Sequence, residues 1–198
     1  MADKQNDLTE EQKKAVKFLT RRAPHIAPKS DEQLAREAEE KAFANAKTGE
    51  VMPDGTIYLG CYNDKDWFAT AEDARDGNGK NLLMDFNAAA AYAKKLKAHG
   101  HDDWMVPPYS GKNEPRILDE MFNSKSIGAF QHTYNKASQR IHNENYSTDS
   151  SYYWSSTELS SNLSCAMRKD FISGSFGWFS KTDLHSVRCV RAVPRLQV

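Results

Sequence analysis

Cysteine is scarce in this chain, neither charge sign is in excess, and no long apolar run is present. Lys+Arg and Asp+Glu both number 27 among 198 residues, so the formal net charge is zero. A nucleic-acid partner is therefore not expected, because neutralising phosphates takes a basic stripe. Nowhere do about 18 apolar residues run together, so no membrane span is expected. Residues 1–7 are polar, with neither an apolar h-region nor a small-residue cleavage site. They point to a cytoplasmic chain, or one released or carried on a particle. There is no Cys-x-x-Cys for a zinc knuckle or a redox dithiol. Cys61, Cys165 and Cys189 read as free thiols, with a Cys165–Cys189 bridge as the alternative. Sequence motifs of serine hydrolases, metalloproteases and phosphate-binding loops are missing.

The length fits one well-packed domain plus an appendage. Thr9 with Gln12, and Ser30 with Gln33, are capping-box pairs that predict two short helices separated at Pro24 and Pro28. Leu34, Ala38, Ala42 and Ala46 follow a helical period, with Phe43 beside them and Gly49 as a stop. This alanine-rich face is too thin to be stable alone, so residues 1–50 are expected to form a helical arm that packs on the main domain or on a partner. Such a partner would be a second copy or a larger particle.

From residue 51 the texture changes to that of a single domain, 51–198. A strand is expected at 56–59, a loop at 73–80, and a helix from Phe86 to about Ala98, capped by Asp85 and stopped by Gly100. Phe86, Ala90, Ala93 and Leu96 with Lys97 form its expected inner face. A second helix is expected from about Pro115, with Ile117, Leu118, Met121 and Phe122 inward. Strands at 152–157, 166–172, 176–179 and 186–193 complete an α+β order: short antiparallel strands and two helices behind a helical N-terminal arm.

The run Asn87-Ala88-Ala89-Ala90-Ala91-Tyr92-Ala93, followed by Leu96, Gly100, His101, Asp102, Asp103, Trp104 and Pro107, resembles a block of the Lcl C-terminal domain family. Ile127-Gly128-Ala129-Phe130, Tyr152-Tyr153-Trp154-Ser155-Ser156-Thr157 and Val187-Arg188-Cys189-Val190-Arg191 resemble further blocks of it, in the same order, over about residues 53–193. Met105 stands where that family usually has Arg, and residues 107–115 depart from its pattern. The resemblance implies a C-type-lectin-like fold found in bacterial surface and phage or prophage proteins, and related to proteins diversified by retroelements. It implies binding of a protein or glycan without catalysis, as a variable receptor-binding or display protein. An assembly subunit docking through its N-terminal helices is the alternative. A metal- or cysteine-dependent enzyme on a formylglycine-generating-enzyme-like fold is a third.

The carboxylates that hold calcium in sugar-binding lectins are missing, since Glu114-Pro115 is followed by Arg116 and Trp154 by Ser155-Ser156. No cofactor is expected. His99 and His101 read as a polar helix end rather than metal ligands. Trp104, Tyr153, Trp154 and Phe171 are expected in the core. Arg188 and Arg191, three apart on a strand, should point to opposite faces, one of them buried and paired. In residues 142–164, Ser, Asn and Tyr supply 14 of 23 positions, a composition that fits an antibody-like paratope and an ordinary solvated loop and strand equally. The resemblance places a variable surface on the C-terminal strands. The expected patch is therefore Asn145, Tyr146, Glu158, Ser160, Asn162, Arg168, Phe176, Trp178 and Lys181, with Tyr146 and Trp178 the exposed aromatics.

Overall fold

The computed structural model describes residues 9–11, 14, 29–109, 115–132 and 151–195. The chain divides into two compact units, Met1–Ala38 and Glu39–Val198. In the first, Ser30 and Gln33 exchange the reciprocal bonds of a capping box: Gln33 N donates to Ser30 Oγ at 3.2 Å, and Ser30 N to Gln33 Oε1 at 3.1 Å. They open α1, Asp31–Asn45. Gln12 and the 16–19 edge of the expected first helix lie outside the described residues. In the second unit, Ala42, Phe43 and Ala46 pack on Met52, Tyr58 and Phe68, with the Phe43 and Phe68 rings edge to face at 5.4 Å.

The second unit is mixed α+β, built on two small antiparallel sheets. One has the order β1 (Ile57–Tyr62), β2 (Lys65–Ala69), β6 (Val190–Pro194). The other has the order β3 (Tyr152–Glu158), β4 (Cys165–Asp170), β5 (Phe176–Ser180). The β1–β2 hairpin turns at Asn63 and Asp64, whose φ values of 51° and 56° are those of a two-residue type I′ turn. A bulge at Gly60, φ 137°, breaks the β1 register. There a Cβ would stand 2.9 Å from the Tyr62 ring, so glycine is required.

Two helices and a 3-10 turn lie between β2 and β3 in sequence: α2 (Phe86–Lys95), α3 (Ile117–Ser124) and Gly128–His132. Asp85 caps α2 by accepting from Ala88 N at 2.7 Å. The helix ends at Lys95, earlier than expected, because Leu96 turns extended and residues 98–101 form a tight turn with His99 and Gly100 at positive φ. Its buried face is Phe86, Ala89 and Ala93; Ala90, expected inward, is exposed. Leu96, just past the helix end, still packs on the cluster of Phe86, Ala89 and Ala93, whereas Lys97 is exposed.

The last strand begins at Val190 rather than 186. Residues 185–187 are extended but form isolated bridges rather than a ladder: His185 exchanges two bonds with Met84, Ser186 makes two to β3, and Val187 O accepts from Ala74 N. Two further apolar clusters fill the unit. Ile57, Leu59, Ile117, Leu118, Met121, Phe130, Tyr153 and Met167 belong to one; Phe86, Ala89, Ala93, Trp104, Trp154 and Val187 belong to the other. Trp104, Tyr153, Trp154 and Phe171 are all buried, as expected from their place in the sequence. No described helix is long and apolar enough to cross a membrane.

Candidate functional site

Strand alternation sorts the second sheet into two faces. On one, Tyr153, Lys169 and Phe176 lie side by side across the three strands, as do Met167 and Trp178 on β4 and β5. On the other lie Trp154, Arg168 and Gly177, with Ala166, Phe179 and Glu158 beyond them. The first face is covered by α3 and Tyr109 over its β3 and β4 part. Among the described residues none covers its β5 margin: Phe176 is 58% exposed and Trp178 41%. Phe176 leans on the buried Tyr109 ring, centroids 5.1 Å apart. The Arg116 guanidinium stands 5.7 Å from the centre of the same ring. Beneath, Lys169 is buried and paired with Asp119 at 2.6 Å. This margin therefore offers two exposed aromatic residues on a paired strand, one of them against Tyr109, whose ring also meets the exposed Arg116.

The expected patch divides. Phe176 and Trp178 come together as exposed residues of one face. Glu158 and Lys181 come together elsewhere, joined at 2.9 Å, with Lys181 Nζ 4.8 Å from the Phe86 ring at the start of α2. Ser160 and Asn162 are exposed on the β3–β4 turn, where Asn162 Oδ1 accepts from Ser164 N. Asn145 and Tyr146 lie outside the described residues.

Arg168 is a correction. It is buried at 5% exposure, not displayed. Its guanidinium is sandwiched between the Tyr152 and Phe179 rings at 3.8 and 3.3 Å, and Nη1 is 2.8 Å from His185 Nε2. An arginine always donates, so that ring nitrogen accepts and the imidazole proton sits on Nδ1. Burial, helped by the Arg168 charge, pushes the His185 pKa down to about 3. The site residue that sequence reasoning missed is Tyr109. Its signal was the run Pro107-Pro108-Tyr109, which starts an irregular segment that no helix or strand period could place.

A cleft of about 280 Å³ lies between α2 and the chain after β2, lined by Thr70, Glu72, Tyr92, Leu96, His99 and Cys189 among others. Its chemistry is quiet. The His99 ring meets Asp54 O at 3.1 Å and Ala71 N at 3.4 Å, so both nitrogens are engaged. Burial pushes the Cys189 thiol up to about 12, leaving almost no thiolate near neutral pH.

The two histidines do not face the last carbonyls of α2, as the sequence had suggested. They fasten the 98–101 turn to the Asp54 turn, His101 Nε2 lying 2.9 Å from Asp54 Oδ2. Burial would raise the Asp54 pKa, but hydrogen bonds from Thr56 and His101 outweigh it and hold the carboxyl below its usual range. All three cysteines are free thiols, so the Cys165–Cys189 bridge does not form. Among the described residues no group of three or more His, Cys, Asp or Glu is arranged around a metal position.

Arg188 is the buried member of the arginine pair, giving its donors to Thr70 O at 2.7 and 3.0 Å and to Ala71 O at 2.6 Å. Arg191 takes the other side and binds Asp103 in a fork, Nε to Oδ1 at 2.8 Å and Nη2 to Oδ2 at 3.1 Å. Both are structural clamps that tie the last strand to earlier parts of the chain. No protein-family model matches the chain, and no curated protein matches it.

Proposed function

We propose that the chain is a non-catalytic recognition domain of C-type-lectin-like fold, binding a protein or glycan through the β5 margin. The observation that carries this reading is the pair Phe176 and Trp178, large aromatic residues exposed on a strand that is paired along its whole length to β4. Aromatic side chains held rigidly at a surface bury much area at small entropic cost when a ligand arrives. A strand also permits such exposure, because its fold is fixed by the β4 ladder and not by these rings. In support of the fold reading, the last strand joins the sheet of the first two, and a run of helices precedes the second sheet. Against an enzyme stand the engaged His99 and the thiol of Cys189, neither of which is poised as base or nucleophile.

The test is capture by the immobilised full chain on a glycan array and from a peptide display library. The F176A/W178A double variant should lose the captured ligand by on the order of 100-fold, at about 2 kcal/mol or more for a central aromatic. Its melting temperature should stay within a few degrees. Capture that survives the double substitution would place recognition elsewhere.

A further inference from the structure

We propose that β5 pairs antiparallel with β5 of a second copy of this chain, about a two-fold axis beside Trp178. The backbone carries the case. Asp170 N donates to Ser175 O, and Lys181 N to Ser164 O, which brackets the β4–β5 ladder and sets its alternation. In an unbroken antiparallel ladder the hydrogen-bonded pairs are then Ala166 with Phe179 and Arg168 with Gly177. The N–H and C=O groups of Phe176, Trp178 and Ser180 therefore point away from β4. Among the described residues none pairs with that edge; Ser180 O alone has a local partner, Asp183 N.

The other three sheet edges are occupied or blunted. Residues 49–51 bond to β1 through Gly49 N to Tyr58 O and Tyr58 N to Glu50 O. β3 meets Ser186 and Pro107. β6 is bonded to Met105 at Val190 and carries Arg191 and Pro194. Charge and proline are the usual devices that stop edges from pairing. The β5 sequence Phe176-Gly177-Trp178-Phe179-Ser180 has neither.

The strand also fits itself. Two-fold pairing at Trp178 sets Phe176 opposite Ser180, and Gly177 opposite Phe179, of the second copy. Large meets small at each off-axis pair, and no like charges face each other. The two Trp178 rings lie side by side at the axis, on the face that carries Phe176. Edge pairing uses backbone groups and leaves sheet faces open. The aromatic margin is thus doubled into one surface rather than hidden.

Sedimentation equilibrium of the full chain, with no ligand added, tests this separately from ligand capture. A concentration-dependent dimer is expected. W178P removes the outward N–H at an edge position where proline is tolerated, and should weaken the dimer on the order of tenfold or more. W178K and W178E should each be monomeric, and their equimolar mixture should recover the dimer, because only a residue paired with its own copy gives that pattern. The charge variants change an exposed side chain, so they decide the matter even if W178P does not fold. A chain that stays monomeric up to about 1 mM, a dimer indifferent to W178K, or a mixture that fails to recover would overturn the proposal.

Discussion

The two three-stranded sheets are alike in size but manage their margins in opposite ways. In the first, every margin is closed by chain, charge or proline, and polar groups on its strands are tied: Arg191 to Asp103, and the Oη of buried Tyr58 to Asp66 at 2.7 Å. The Arg191 bond holds the Asp103 carboxyl below its usual range. In the second, β3 and β4 are built into the two cores, while β5 is left with open backbone groups and two exposed rings. A strand kept uncharged and aromatic at a free edge is an aggregation hazard. The first sheet has no such margin.

The sharpest way to break this contrast is in the interior that the second sheet shares with α2. Trp154 is fully buried; its Nε1 donates to Met84 O at 2.8 Å, and its ring packs on His185 at 4.5 Å and edge-on to Phe86 at 5.8 Å. Trp104 is buried too, with Nε1 directed at His101 O and Ala98 O. Trp→Ala at either should cost about 3–5 kcal/mol. Urea denaturation showing less than about 1 kcal/mol lost at Trp154 would mean that β3 is no more integral than β5.

A smaller effect comes from pH. His185 titrates near 6.5 when unfolded and near 3 when folded. The unfolded chain therefore binds this proton first, and stability falls as pH drops below 6.5, continuing down to about 3. Between pH 7 and pH 5 the loss should be about 2 kcal/mol from this group. His185→Gln keeps an acceptor for Arg168 and should flatten that slope in denaturation curves taken across the range. An unchanged slope would show that the second sheet's inner face is wetter than its burial implies.

How far the sequence could be read follows the same division. The α+β order, the Asp85 cap and the core tryptophans were legible because they rest on local signals: a capping residue, a 3.6 period, aromatic residues flanked by turns. β2 was not read, although Asn63-Asp64 between two aromatic-rich runs is a hairpin signal; Lys65 and Asp66 masked the short strand behind it. Arg168 was misread for a different reason. Its charge suggests exposure, but its burial depends on Tyr152, Phe179 and His185, which are adjacent only after three strands have paired. The division of the expected patch has the same origin. Composition marks a region, whereas the face a residue takes depends on register.

The smallest expected effect is at the other cluster of predicted site residues, Glu158 and Lys181. Their ion pair spans 2.9 Å, with the Glu158 side chain 45% exposed and that of Lys181 17%. Solvent screens such a pair, and two long side chains must be ordered to make it, so it should be worth no more than about 0.2–1 kcal/mol. The aromatic contact of Lys181 with Phe86 is kept when only Glu158 is changed. Glu158→Gln, Lys181→Met and the double variant form a cycle whose coupling energy isolates the pair. If recognition lies on the β5 margin, all three should also capture ligand as the parent chain does, since these residues sit with α2 on the opposite face from Phe176 and Trp178. A loss of capture in Glu158→Gln with stability unchanged would move the binding surface to the α2 side. The open edge of β5 would then serve assembly alone.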